Sequence, residues 1–113
     1  MGTQDVTAGL ASIGWVFTAV LLVIAVICWA AGRGKIAING VVGIRIPSLK
    51  RSEAAWRAGH AAGAMPACIA FGVAVVCSVI GLFASPAYWG TFVALVGGLV
   101  WVVVSAARAA NAA

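Results

Sequence analysis

Four side chains of unlike chemistry stand at helical spacing near the middle of this chain. Glu53, Trp56, Arg57 and His60 fall at i, i+3, i+4 and i+7, so on a helix they share one face. A carboxylate, a guanidinium and an imidazole beside an aromatic ring could move a proton, grip an anion or seat a polar ligand. They do not form a recognisable catalytic set. A single His without an acid partner and a nucleophile cannot build a triad. One Glu and one His also lack the spacing of a metal site. The expectation is a binding cluster in a protein that is not an enzyme and uses no cofactor or metal. A proton-transfer or lipid-processing role for Glu53 and His60 is the least favoured reading.

The residues just before this face belong with it. Arg45, Lys50 and Arg51 can approach it from the preceding segment. Asn39-Gly40 is a two-residue turn signal between "KIAI" and "VVGIRI", which allows a short hairpin or an irregular surface loop. Ile36, Ile38, Val41, Val42, Ile44 and Ile46 are too apolar for a freely solvated linker. They are expected to dip into the headgroup region or to pack under neighbouring helices. Gly43 marks a bend or a close backbone approach. Pro47 is expected to hold the chain extended, and Ser52 to cap a helix beginning at Glu53, whose charge suits the helix dipole. Glu53 and Arg57 can pair at i, i+4. Trp56 also suits an interfacial anchor, and His60 a hydrogen-bonded interfacial position.

The elements that must position this cluster follow from composition. Of 113 residues, 65% are hydrophobic and only 8% charged, against roughly 25% charged in a soluble domain. Mean hydropathy is +1.16. So few charges cannot cover a water-facing surface, and lipid is the natural solvent. Three runs reach the ~20 apolar residues that a membrane helix needs: 10–31, 61–84 and 88–107. Backbone groups in lipid must pair internally, so each run is helical. Pro86, in the "SPA" turn of 85–87, separates the last two, and Pro66 is a place where the second could kink or restart. Trp15, Trp29, Tyr88 and Trp89 lie near the span ends, as an aromatic belt would. The fold class expected is an all-α integral membrane protein: one three-helix domain with a basic loop, 32–60, and a short interfacial helix between spans one and two.

The charges set an orientation. Net charge is +5. Arg33, Lys35, Arg45, Lys50, Arg51 and Arg57 stand in the loop and Arg108 follows span three, while the N-terminal segment and the 85–87 turn carry no base. The positive-inside rule then places the N-terminus outside and both the loop and the C-terminus in the cytoplasm. Arg33, Lys35, Lys50 and Arg51 read as topology signals or contacts to lipid phosphate. Bases that flank apolar spans argue against nucleic acid as a partner. The N-terminal segment has no basic n-region, so the first run reads as a retained helix rather than a signal peptide. Cys28, Cys68 and Cys77 lie inside apolar runs and read as small buried hydrophobes. Gly72, Gly81, Gly90, Gly97 and Gly98 offer small faces for helix packing, within the unit or against a partner. No span carries an acid, base or histidine in its middle, which argues against a pump, transporter or selective channel built from one chain.

The stretch "NGVVGIRIPSLKRSEAAWRAGHAAG", 39–63, resembles the signature of the SdpI family of small bacterial membrane proteins. Asn39, Gly43, Arg45, Pro47, Ser52, Glu53, Trp56, His60 and Gly63 carry the likeness. Ile46 departs from it, because Thr is common there, and the departure removes a hydroxyl. The three-span layout extends the resemblance over most of the chain, in the family's short form. It implies a bacterial origin, with a composition that hints at a GC-rich genome. It also implies a role in immunity to a secreted toxic peptide or in holding a cytoplasmic regulator at the plasma membrane. The binding residues implied are the motif positions together with Arg57. The competing expectation is a small accessory subunit of a larger membrane complex. Membrane lipids are expected partners in either case.

Overall fold

The computed structural model describes the backbone of residues 3–113 and the side chains from residue 8 onward. It is all-helical. Helix α1 spans Thr3–Gly32, α2 Pro47–Lys50, α3 Glu53–Gly81 and α4 Tyr88–Ala112, with a 3-10 turn at Ser85–Ala87 before α4. Three of these, α1, α3 and α4, are long and apolar enough to cross a membrane. The molecule is 52 Å long and 22 by 20 Å across, so it exceeds the ~30 Å hydrocarbon layer and leaves room for polar structure beyond it. Helix α3 lies between the other two and packs along both, while α1 and α4 meet over a shorter stretch.

The interior of this bundle is made of small side chains. On α1 the buried stripe is Gly14, Thr18, Leu21, Ala25, Cys28 and Ala31. On α4 it is Tyr88, Thr91, Ala94, Gly98, Val102, Ala106 and Ala110. The bulky aliphatics Val16, Val23, Val76, Val93 and Val100 face outward. In water this sorting would be inverted. In lipid the tails solvate Val and Leu as well as a neighbouring helix does, so close backbone approach decides which face turns inward. Gly98 shows the effect: a Cβ there would lie 2.5 Å from the Ala70 methyl.

Some expectations hold and others need correction. Of the two forms open to the loop, the irregular one is found: residues 33–46 contain no strand and no ladder of backbone bonds. The entry to Pro47 is extended as expected, with Ile46 at φ −83 and ψ 154, and Pro47 itself opens α2 at its first position, where a fixed φ and a missing N–H cost nothing. Helix α3 runs unbroken through Pro66, so span two neither restarts there nor ends at 84. Tyr88 is no belt residue. It is 3% exposed, with its ring against Gly14 and Gly81, whereas Trp15, Trp29 and Trp89 do face outward. Of the cysteines only Cys28 is buried; Cys68 is exposed and Cys77 half-buried. Gly72 and Gly97 have nothing within 4 Å of a would-be Cβ, so they take no part in packing within the bundle.

Candidate functional site: the folded loop between the first two spans

Helix α1 ends in a Schellman motif. Gly34 has φ +79, its N–H reaches Ala31 O at 3.1 Å and Lys35 N–H reaches Ala30 O at 2.9 Å. These bonds satisfy carbonyls that the helix end would otherwise leave unpaired. The chain then runs alongside the first turns of α3. Ile36 and Ile38 turn inward while Lys35 and Ala37 turn out, and the pattern returns with Ile44 and Ile46 in and Arg45 out. The four isoleucines pack on a core of Ala31, Leu49, Ala55, Trp56, Ala106 and Ala110. The apolar loop residues therefore have a protein partner, except Val41 and Val42 at its tip, which stay exposed.

With no ladder to pair this backbone, side chains do it. Trp56 is fully buried and donates from Nε1 to Ile36 O at 2.8 Å. Glu53 Oε1 accepts the Ile38 N–H at 3.3 Å. His60, also fully buried, accepts the Ile44 N–H on Nε2 at 2.8 Å and donates from Nδ1 to Trp56 O at 2.8 Å. A ring that accepts on one nitrogen and donates from the other is neutral, with its proton on Nδ1. Its centroid lies 4.3 Å from that of Trp56. The face read from the i, i+3, i+4, i+7 spacing thus becomes a row of clamps on Ile36, Ile38 and Ile44.

The tip is organised by Asn39. Its Oδ1 accepts the N–H groups of Val41 at 2.8 Å and Val42 at 2.6 Å, and its Nδ2 donates to Ala37 O at 2.9 Å and Val42 O at 3.1 Å. One side chain fills the role that a turn's own backbone bonds would fill. Arg45 closes the ring by donating from Nε to Asn39 O at 3.1 Å. Gly43 bears the expected close approach. Its φ is +111 and an added Cβ would stand 2.7 Å from the Trp56 ring and 3.0 Å from His60 Nε2.

Beyond the tip, Pro47 starts α2 and Leu49 is buried against Gly59 of α3. Ser52 caps α3, as expected, by accepting Ala55 N–H at 3.0 Å. Gly63 lets Val102 and Cys28 approach, at 3.2 and 3.5 Å from a would-be Cβ.

The remaining cations separate into two groups. Arg33 and Lys35 lie over the Trp29 ring, 4.7 and 4.8 Å from its centroid, as cation–π partners. Arg57 does not seek Glu53: its guanidinium packs against Gly34, while the carboxylate takes the loop. Arg51 donates to the carbonyls of Ala110 and Ala113 at 2.5 and 3.0 Å, a favourable partner for the negative end of α4. Lys50 is exposed in the last turn of α2. The structure therefore brings Asn39, Gly43, Arg45, Glu53, Trp56 and His60 into one unit, keeps Arg33, Lys35 and Arg57 together beside it, and assigns Arg51 to the bundle. Among the described residues no three His, Cys, Asp or Glu side chains lie close enough to share a metal ion.

One polar constellation went unnoticed in the sequence. Thr18, Ser78 and Thr91, one from each span, are buried and linked, with hydroxyl oxygens 3.0 Å apart from Thr18 to Ser78 and from Ser78 to Thr91. Thr18 donates to Gly14 O at 2.8 Å. Each hydroxyl has one proton, so Ser78 must donate to Thr18 and Thr91 to Ser78. Depth gave no signal for it: Thr18 stands eight residues into its run, Ser78 six from the end of its own and Thr91 three into the last, so only the packing of the helices brings them together. The role of Arg51 carried no signal at all, since it joins residues 59 apart.

The profile of the SdpI/YfhL protein family matches residues 35–107, from the start of the loop to the last turns of α4. No curated protein and no solved structure matches the chain significantly.

Proposed function

Because the chain belongs to the SdpI/YfhL protein family, we propose that it protects a bacterial cell from a membrane-active peptide or relays such a peptide's presence through the folded loop. The protein is a multi-pass membrane protein. In this reading it sits in the plasma membrane with its N-terminus outside and the loop and C-terminus in the cytoplasm, a placement favoured by six bases in the loop, one after span three and none in the N-terminal segment or the 85–87 turn. The observation that carries the proposal is the construction of the loop. Asn39, Gly43, Glu53, Trp56 and His60 spend their polar groups on loop backbone or on the fit beneath it. They hold one shape and display Val41, 86% exposed, beside Arg45. A tip held in this way is suited to meeting a regulator or to changing shape with the spans beneath it.

The same geometry supports a role without catalysis. Both nitrogens of His60 are bound to backbone and the ring is fully buried, so it offers no free acid or base to a substrate.

The test is genetic. Loss of the gene should raise sensitivity to at least one of a panel of membrane-active peptides, wild-type protein should restore resistance, and Arg45→Ala should fail to do so at equal membrane abundance. Unchanged sensitivity across the panel overturns the proposal.

A second reading, an accessory subunit of a larger membrane complex, is favoured by one observation. Gly72 and Gly97 face outward with open space around them, as small residues do where another helix docks. Purification in mild detergent from the native host would then bring down a stoichiometric large partner. Recovery of the chain alone excludes it.

A further inference from the structure

We propose that the cleft between α1 and α3 is a binding site for one anionic phospholipid in the leaflet next to the loop. Leu22, Ala25, Val26 and Trp29 of α1 and Cys68 and Phe71 of α3 line a groove of about 310 Å³ that opens sideways from the bundle. Its walls are apolar. Leu22, Val26, Trp29 and Arg33 follow one another at i, i+4, i+7 and i+11, so the same stripe of α1 that lines the groove carries a cation at its loop end. From Leu22 to Trp29 the stripe rises about 10 Å.

At that end the charge is one-sided. Arg33 and Lys35 lie over the Trp29 ring. Arg57 arrives from α3 with its guanidinium against Gly34, between those two in sequence. Glu53 is the one acid in residues 8–113, and one of its oxygens already accepts the Ile38 N–H. Just past the groove the two helices close on each other, where a Cβ on Gly32 would meet Ala61 backbone at 2.7–2.8 Å. An apolar slot that ends under three cations and a tryptophan matches an amphiphile with an acyl chain and a negatively charged phosphate head. Guanidinium and ammonium groups bind phosphate oxygens, and Trp prefers the headgroup depth. A free phosphate would leave the slot unused, and a zwitterionic lipid would bring beside its phosphate a cation that the three bases repel. This site does not depend on what the loop tip responds to.

Native mass spectrometry of the full chain in detergent, titrated with phosphatidylglycerol or phosphatidylcholine, tests it. One phosphatidylglycerol should be retained more strongly than phosphatidylcholine by about thirtyfold or more, as expected from two or three cations near a headgroup at about 1 kcal/mol each. Arg33→Gln with Lys35→Gln should abolish the preference. Cys68→Trp, or Val26→Phe if the first does not fold by circular dichroism and gel filtration, fills the slot without touching the cations and should weaken retention of both lipids. Arg108→Gln, a basic residue of α4 outside the cleft, should leave retention unchanged, and glycerol 3-phosphate should not compete. Equal retention of the two lipids, an Arg108→Gln variant as defective as the double variant, slot-filled variants that bind as wild type, or displacement by glycerol 3-phosphate overturns the proposal.

Discussion

Gly43 carries two constraints at once: a positive φ and a missing Cβ that lets the loop lie on Trp56 and His60. Ala at this position would be strained by about 2 kcal/mol before any clash is counted. Gly43→Ala should therefore free the loop, seen as faster limited proteolysis between residues 36 and 46, while the helix content of the spans holds. His60 is a second residue-scale test. Its removal leaves the Ile44 N–H without its acceptor, a loss of about 1–3 kcal/mol. In His60→Ala, amide exchange at Ile44 should accelerate about tenfold or more, and Trp56→Phe should act mainly through the freed Ile36 carbonyl. A His60→Ala protein with an equally protected Ile44 would show that packing, not this bond, holds the loop.

At the scale of elements, α3 is the piece on which the rest is assembled. Its buried residues run from Ala55 to Gly81, its first two turns clamp the loop, and its later turns pack both other spans. Two adjacent glycines on α4 discriminate packing from bare membrane residence. Gly98→Leu would drive a side chain into Ala70 and should lower the thermal midpoint in detergent by several degrees. Gly97→Leu, in open space, should leave the monomer unchanged; if it also disrupts function, an external partner on that face is indicated. The hydroxyl chain of Thr18, Ser78 and Thr91 is the element-scale polar link. Ser78→Ala breaks both of its bonds, and at about 0.6–1.7 kcal/mol for an interhelical bond in lipid it should destabilise the bundle measurably, with Ser78→Thr less harmful than Ser78→Val.

For the whole molecule, the decisive quantity is where the bases lie relative to the bilayer. A single cysteine at Val41 in a background without Cys28, Cys68 and Cys77 should react with impermeant maleimide only after cells are opened. A single cysteine at Ser85 should react in intact cells. The reverse pattern would turn the molecule over and remove the cytoplasmic reading of the loop.

What the residues alone determined was whatever depends on solvent and local chemistry. Composition forced a lipid environment, run length forced three spans, Ser52 and Glu53 marked the start of α3, and the motif from Asn39 to Gly63 marked the family and its loop. Gly43 was legible as a close approach because few other reasons place Gly between apolar residues there. The tertiary structure decided the rest, because it depends on which faces meet. Tyr88 became an interior residue only because Gly14 and Gly81 leave a notch for it. Arg51 found carbonyl partners at Ala110 and Ala113 because the last turn of α4 comes within its reach. The 33–46 segment lacked a strand because Asn39, Glu53, Trp56 and His60 supply bonds that a ladder would otherwise provide. Spacing on one helix showed that Glu53, Trp56 and His60 share a face; only the fold of the preceding segment showed what that face grips, since a face acquires its partner through contacts distant in the chain.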